Sequence, residues 1–427
     1  MKDAHLTEDE IKLALEGSDE HRNRLILHHL AVCRVCYAEA GHILDLYLAG
    51  ELDAYLGTIE IDLGKSRRSA PALWERLRGF PFDRQKALIR EVESYRSWGL
   101  CELLCAESEK EAPRDPTRAR SLSELAVAVS AALEPNKPAE PLWLDELRAY
   151  AFAHLANAYR VGGDLAAAEE AFMSAEALWK PAMENLGDVL GYEARYLALL
   201  SSLRRAQRRL PEALELLDRA LAAYPEPSLL VRILINRAKT MEELGDIREA
   251  IEILAAAQSR AEAEIDPRLR LCLVQNHLDY LSKAGRLVEA EALVVDVETL
   301  VEEIGCEIDL LRLRWTQARI SQGLGRIDEA LRLFEEVRVG FAHHDIPYDV
   351  VLVALELSLA YQSCGRTEDV LEVIQETIPI LQAVSVEREG LMAVRLLTEA
   401  TSDRRATAEL IGQVLEYLRR SQPQPLP

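Results

Sequence analysis

The sequence has 427 residues, of which 49% are apolar and 29% charged, so the chain can bury a core, and both intrinsic disorder and a collagen-like fibre are excluded. Asp and Glu number 72 against 50 Lys and Arg, and the formal charge of -22 repels polyanions, so direct binding to nucleic acid or to an anionic membrane is not expected. No apolar stretch approaches the roughly 18 residues that a membrane span needs, and the first residues lack the cationic and apolar regions of a signal peptide, so we expect a cytoplasmic protein.

Three potential metal ligands lie close together near the start of the sequence. His29, Cys33 and Cys36 are spaced i, i+4 and i+7, so on a helix they converge on one point. The chain has 7 cysteines, an odd and small number for its length, which disfavours a disulfide framework and favours a clustered metal site. Because thiolates and imidazole together suit tetrahedral zinc, we expect these residues to bind Zn²⁺.

A closed structural zinc site needs a fourth ligand. His5 is the best candidate, because a capping box at 7–10 opens a helix that can fold back towards the cysteines, and His21 and His28 are the alternatives. We expect zinc to be structural, since so small a helical module has too little core to fold alone. Two other interpretations are a metal-free pair of buried cysteines, and a redox switch in which thiolate oxidation expels zinc and releases a partner.

The segment from His5 to Cys36 resembles the zinc-binding anti-sigma factor family, whose mark is a distant His or Cys followed by His-x3-Cys-x2-Cys. The resemblance implies a zinc ion held by His5, His29, Cys33 and Cys36. It also implies that the following helix, at 38–55, helps to cover a sigma factor. We assign residues 1–64 to this module. A catalytic zinc is not expected, because no His-Glu-x-x-His or comparable arrangement appears.

Residues 65–141 are predicted to link this module to the rest of the chain. Two stretches with helical periodicity, 82–110 and 117–133, indicate one degenerate helical hairpin. The prolines of 134–141 disfavour helix at the residues before them, so this segment is predicted to be a connector.

A repeating phrase dominates the middle of the sequence. The same turn recurs at five glycines, of which the last four are 40 residues apart: Gly163, Gly245, Gly285, Gly325 and Gly365. Apolar runs with helical periodicity flank each turn, and glycine accepts the positive φ with which many helices end, so each unit is predicted to be a helical hairpin. A sixth copy has Arg208 instead of glycine, and there we expect a looser or altered turn.

The clearest copy, at 155–175, resembles the tetratricopeptide repeat family through Tyr159, Gly163, Ala168 and Phe172. The resemblance covers roughly residues 142–385 and implies an all-α solenoid of about six hairpins. A small residue five positions after each turn should let the two helices approach. Bulky residues four positions further on should fill the gaps between hairpins: Phe172, Leu217, Leu254, Val294, Phe334 and Ile374. Because the spacing exceeds the family's usual length of about 34 residues, longer helices or loops are expected.

In such a solenoid the first helices of the hairpins line the inner surface, where we expect a partner to bind. Counting back from the turns places these side chains there: Asn157, Arg160, Asn236, Lys239, Gln275, Asp279, Trp315 and Arg319. Amides can hydrogen-bond the backbone of an extended peptide, while Trp315 and the cations can anchor its side chains. The alternative is that these residues simply solvate the groove. The recurring Lys and Asn set with which the family grips a C-terminal carboxylate is not reproduced.

Terminal helices are predicted at 386–401 and 404–420, forming a cap within residues 386–427. The sequence contains no phosphate-binding loop, no Gly-x-Ser-x-Gly and no coherent Ser, His and Asp set, so we assign no catalytic residue and expect no enzyme. The interpretation is a bacterial regulator or adaptor in which the solenoid binds a protein or peptide, and the zinc module binds a sigma factor and thereby regulates transcription. The alternative is a scaffold of a multiprotein complex, in which the zinc site is only structural.

Overall fold

The structure is a computed structural model that describes residues 49–112, 114–134, 140–186, 188, 190–223, 225–260, 265–383, 394, 397, 398 and 408–421. All regular elements within these ranges are helical, and we number the α-helices α1 to α17 in chain order; no strand occurs among them. The predicted all-α class is therefore confirmed. None of the helices in these ranges is both long enough and apolar enough to cross a membrane.

The chain divides into two compact units, and the first unit runs to Ala223. Its helices are α1 (Ala49–Leu77), α2 (Phe82–Glu91), α3 (Trp98–Glu111), α4 (Pro116–Ala132), α5 (Glu140–Val161), α6 (Leu165–Leu186), α7 (Glu193–Ala206) and α8 (Leu210–Ala222). Helices α3 and α4, α5 and α6, and α7 and α8 pack as three consecutive hairpins. Position 64, where the sequence placed the end of the zinc module, lies within α1.

The degenerate hairpin predicted before the repeats is present, but its first arm is shorter than predicted. A 3-10 turn at Glu93–Tyr95 interrupts the stretch 82–110, so only α3 pairs with α4. Ser97 starts α3 because its hydroxyl accepts a hydrogen bond from a backbone N–H of the first turn at 3.4 Å. Helix α1 crosses α3 at Gly99, where a Cβ atom would lie 2.4 Å from the carbonyl oxygen of Ser66. Glycine at this position is what permits the close crossing.

The second unit contains four hairpins followed by a last helix. Its helices are α9 (Pro227–Glu243), α10 (Ile247–Arg260), α11 (Pro267–Lys283), α12 (Leu287–Ile304), α13 (Glu307–Gly323), α14 (Ile327–His343), α15 (Pro347–Ser363), α16 (Thr367–Ala383) and α17 (Ala408–Ser421). Consecutive helices from α9 to α16 pair as hairpins, and α17 packs on α15. Helices α11 to α16 have 17 or 18 residues and are joined by turns of two or three residues, so long helices rather than long loops account for the repeat spacing.

The turns of the six predicted repeats share one backbone conformation. All five predicted turn glycines have positive φ, for example 94° at Gly245, whose N–H donates to Glu242 O at 2.9 Å and caps the preceding helix. Arg208 has φ 61° and repeats the pattern, because its N–H donates to Arg205 O at 2.9 Å. The prediction of a looser turn is therefore wrong. The arginine adopts the left-handed conformation at an energetic cost instead of changing the turn.

Most residues predicted to pack between hairpins are buried. The small residue after the turn is 0% exposed in all six repeats, and five of the six bulky residues are at most 2% exposed. The exception is Val294, which is only partly buried. Val297, one turn further along α12, is 0% exposed, as is the equivalent Val337 of α14.

Candidate partner-binding surface

The four predicted zinc ligands, His5, His29, Cys33 and Cys36, lie outside the described residues, and so do the alternatives His21 and His28. Their assignment stays a prediction. In the part of the chain that the structure describes, no group of three or more His, Cys, Asp and Glu side chains is placed to hold a metal ion. The structure therefore bears on the other predicted site, the face formed by the first helices of the hairpins.

Four of the eight predicted partner-binding residues meet on one face of the second unit. Gln275 and Asp279 lie on α11, and Trp315 and Arg319 occupy the equivalent positions of α13. The members of each pair are four residues apart, so they project from the same side of their helix. We call this face the first-helix surface, and it consists of Asn236, Lys239, Gln275, Asp279, Trp315, Arg319 and Glu356.

Six charged side chains along this surface form a continuous series of ion pairs, which we call the charge ladder: Glu242, Lys283, Asp279, Arg319, Glu356 and Arg419. Lys283 Nζ lies 2.8 Å from Glu242 Oε1 and 3.1 Å from Asp279 Oδ2. Arg319 joins Asp279 to Glu356, with Nε 2.9 Å from Glu356 Oε2. Arg419 of α17 makes the last pair. Because the charges alternate in sign, the ladder is neutral, and it connects α9, α11, α13, α15 and α17.

The middle of the charge ladder is shielded from water, yet it stays ionised. The side chains of Arg319 and Glu356 are 14% and 5% exposed. Burial alone would lower the pKa of Arg319, but the carboxylates of Glu356 and Asp279 raise it above its usual value. Burial likewise opposes the charge of Glu356, yet Arg319 and Arg419 hold the pKa of this carboxyl below its usual range. Removing one member would leave its neighbours with only part of their compensating charge in a buried place.

Trp315, predicted to anchor a partner side chain, is used mainly inside the protein. Its Nε1 donates to Glu356 Oε2 at 2.8 Å. Its ring packs edge-to-face against Phe341 with ring centroids 5.7 Å apart, and the Arg319 guanidinium covers it at 4.7 Å from the centroid. Only 9% of the residue is exposed. The indole therefore orients Glu356 and supports Arg319, and it offers a partner little surface.

Amide groups on the first-helix surface keep unused hydrogen-bonding capacity. Gln275 Nε2 donates to the backbone oxygen of Asp309 at 2.9 Å, which leaves Gln275 Oε1 without a partner in the described chain. Asn236 is partly exposed, and its side chain makes no hydrogen bond within the described ranges. Asn276 is the equivalent residue one repeat later, and its Nδ2 donates to Cys272 O at 2.6 Å. Asn276 was not predicted, although it lies 40 residues after Asn236, the same distance that separates the turns.

The remaining predicted residues have two different settings. Lys239 is partly exposed on α9, one turn after Asn236. Asn157 and Arg160 belong to the first unit and are buried near the end of α5, at 6% and 8% exposed. Arg160 Nε and Nη2 donate to Asn157 Oδ1 at 3.1 and 2.9 Å. Burial and the nearby Arg205 lower the pKa of Arg160 to about 9.

Comparison with known proteins shows similarity in fold. A Rap protein crystallised in complex with competence and sporulation factor is 14% identical, and the match covers 76% of this chain and 88% of that chain with a TM-score of 0.56. A tetratricopeptide repeat protein from Parabacteroides merdae ATCC 43184 is 17% identical over 64% of this chain and 98% of that chain, with a TM-score of 0.40. Aspartyl phosphate phosphatase F from Bacillus subtilis is 16% identical, and the match covers 97% of this chain and 95% of that chain with a TM-score of 0.48.

No protein-family model matches the sequence, and neither does any curated protein. At 14% identity the likeness to the Rap protein concerns the fold alone. Together with the seven hairpins of the described residues, it shows a fold of repeated helical hairpins similar to that of the Rap protein.

Proposed function

We propose that this protein is a non-catalytic adaptor or regulator whose helical repeats bind an extended segment of a partner protein. The observation that carries the proposal is the first-helix surface, where the charge ladder fixes the helices and amides retain unused hydrogen-bonding groups. Asn236 and Gln275 can pair with the backbone of an extended segment, and a surface already held rigid loses little entropy on binding. The Rap protein crystallised with its factor is a precedent for ligand binding on this fold.

We assign no reaction to the first-helix surface. Burial opposes charge on Asp279, but Lys283 and Arg319 hold the pKa of its carboxyl well below the usual range. A paired carboxylate of this kind is a poor general acid or base at neutral pH. The charge ladder therefore supports binding and rigidity of the first-helix surface. The proposal also includes a cytoplasmic location, which is expected from the sequence.

Selection of a phage-displayed peptide library on the full-length protein tests this function. We expect selected peptides to bind the Asn236→Ala variant about fivefold more weakly than wild type, because a lost hydrogen bond costs about 1 kcal/mol. The matched control is Arg248→Ala on α10, whose side chain is 88% exposed, and it should bind like wild type. The proposal fails if no peptide is enriched or if Asn236→Ala binds with unchanged affinity.

We further propose that the N-terminal module binds zinc through the four predicted ligands and contacts a sigma factor. The support is the His-x3-Cys-x2-Cys motif in the sequence. Metal analysis should find about one zinc per chain, lost in Cys36→Ser and kept in Cys364→Ser, whose cysteine is exposed and outside the motif. Copurification with a sigma factor should be lost in Cys33→Ser. If zinc is present but partner binding is unchanged in Cys33→Ser, the module is only structural, as in the scaffold alternative.

A further inference from the structure

The exposed face of α12 differs from that of the equivalent helices in the neighbouring hairpins. Val288 and Val295 are 76% and 66% exposed, and both lie on the side of α12 opposite the buried Val297. The residues 40 positions before and after Val288 are charged, namely Arg248 of α10 and Asp328 of α14. Valine also favours a helix less than arginine or glutamate does. The exposed valines of α12 therefore improve neither the solubility of the protein nor the stability of the helix.

The small and apolar residues on this face follow the spacing of a coiled-coil seam. Ala292 and Thr299 are also exposed, and with the two valines they form one row, which we call the α12 seam: Val288, Ala292, Val295 and Thr299. The hydroxyl of Thr299 needs no further partner, because it donates to Val295 O at 2.9 Å. The spacings of four, three and four residues are those of the a and d positions of a heptad. At 1.5 Å per residue the α12 seam is about 18 Å long.

Both borders of the α12 seam are acidic. In a coiled coil the e and g positions flank the seam, and their charges select the partner helix. Every e and g position within α12 holds a carboxylate: Glu289, Glu291, Asp296, Glu298 and Glu303. The helix contains six acidic residues and no lysine or arginine. The seam is therefore an apolar row between two rows of negative charge.

Part of this acidic border is not neutralised by the protein itself. Arginines in the turns pair with the two acidic residues nearest the start of α12. Asp296 and Glu303 are exposed and make no ion pair with any other described residue. Glu298 accepts a hydrogen bond only from the neutral amide of Gln317, at 2.8 Å. A second copy of α12 would place carboxylates opposite carboxylates, so the border opposes pairing of this helix with itself and attracts a basic helix.

We propose that the α12 seam is a docking site for an amphipathic helix of a partner protein, with apolar residues at its a and d positions and Lys or Arg at its e and g positions. Because α12 packs against α11 and α13, the seam is ordered before binding, and only the partner helix loses conformational freedom on docking. The net charge of -22 adds a long-range attraction for a basic helix. The seam lies on a second helix of a hairpin, so it is separate from the first-helix surface and goes beyond the proposed function.

Two fluorescein-labelled peptides of three heptads test this proposal by fluorescence polarisation with the full-length protein. Both have Leu at the a and d positions, and one has Lys and the other Glu at every e and g position. We expect the Lys peptide to bind at least about tenfold more tightly than the Glu peptide. The double variant Val288→Ser with Val295→Ser keeps the charge of the protein and should bind the Lys peptide about tenfold more weakly. Unchanged binding by this variant would show that the peptide is attracted by charge alone and would refute the docking site.

Charge reversal connects the preference to the border of the α12 seam. The double variant Asp296→Lys with Glu303→Lys should bind the Lys peptide about tenfold more weakly and the Glu peptide about tenfold more tightly than wild type. The matched control is Asp328→Lys with Glu372→Lys, at exposed positions of α14 and α16, which changes the net charge by the same amount. The control should keep the preference of wild type. Equal shifts in the two double variants would mean that only the net charge matters, and the docking site would be wrong.

Two further measurements separate this inference from its alternatives. Asn236→Ala, on the first-helix surface, should bind the Lys peptide like wild type, so failure of the proposed function would leave this result unchanged. Light scattering reports whether the seam instead joins two copies of the chain. A wild-type dimer that becomes a monomer in Val288→Ser with Val295→Ser would overturn the assignment to a basic partner. The proposal is likewise refuted if neither peptide binds or if both bind equally tightly.

Discussion

Replacing Glu356 with glutamine tests whether the charge ladder holds the hairpins of the second unit together. The substitution keeps the shape of the side chain and an oxygen that Trp315 Nε1 can use, but it removes the charge shared by Arg319 and Arg419. Because Glu356 is only 5% exposed, water cannot replace the lost carboxylate. Removing one partner of a buried ion pair costs about 3 kcal/mol or more. We therefore expect the second unit to be less stable by about 3 kcal/mol.

Hydrogen-exchange mass spectrometry at neutral pH is the appropriate assay, because it reports on the second unit even if the two units unfold separately. Peptides from α13 and α15 should exchange about a hundredfold faster in Glu356→Gln than in wild type. The control is Glu376→Gln, which breaks an ion pair between Arg338 and a glutamate whose side chain is 50% exposed. The control should change exchange little, since exposed pairs contribute at most about 1 kcal/mol. Equal effects of the two substitutions would refute the importance of the charge ladder.

The same carboxylate predicts how the stability of the second unit depends on pH. The pKa of Glu356 is lower in the folded protein than its ordinary value of 4.5, so its stabilising contribution is present above that pH. The contribution is lost as the pH falls below 4.5 and through the folded-state pKa, because the unfolded chain then binds the proton more readily. Unfolding measured across this range should show a smaller loss of stability in Glu356→Gln than in wild type. Parallel curves would contradict the assignment.

Three further predictions concern the framework. Arg208→Gly should raise the free energy of unfolding, measured by urea titration, by about 1 kcal/mol, because a φ of 61° strains any residue with a Cβ. Unchanged stability would argue against this strain. Gly99→Ala should lower the free energy of unfolding by about 2 kcal/mol, since the new Cβ would lie 2.4 Å from the Ser66 backbone. A urea midpoint equal to that of wild type would contradict the close crossing of α1 and α3. His154 is 1% exposed, and burial lowers its pKa to about 4 from 6.5, so stability is lost as pH falls below 6.5. Between pH 7 and pH 5 the free energy of unfolding should therefore fall by about 2 kcal/mol more in wild type than in His154→Leu. Equal decreases in the two proteins would show that His154 is not the cause.

The repeat architecture was predictable because it depends on local signals. The turn glycines, the helical periodicity on either side and the alanines after the turns are each visible within one repeat, and they specify a hairpin wherever they occur together. The prediction for Arg208 was wrong because the free energy of packing two helices exceeds the strain of one left-handed residue.

The candidate site was predictable only in part. Counting back from the turns identified Asp279 and Arg319, which the structure joins in one ion pair. Lys283 was also within reach, since it follows Asp279 by four residues with the opposite charge. Glu356 and Arg419 were missed because they pair across 63 positions, and no local spacing signals such a contact.

Sequence alone determined the class of fold, the number of hairpins and which helix of each hairpin carries the polar residues, because a helix and its turn are stabilised by residues close together in the chain. Only the tertiary structure decided which of those polar residues neutralise one another and which stay uncompensated. Glu356 contacts Trp315, Arg319 and Arg419 in one buried cluster, whereas the side chain of Arg160 is hydrogen-bonded only to an amide. The energy of a buried charge depends on neighbours that the fold supplies from distant positions, so the same residue type is an ion-pair partner in one hairpin and a hydrogen-bond donor to an amide in another.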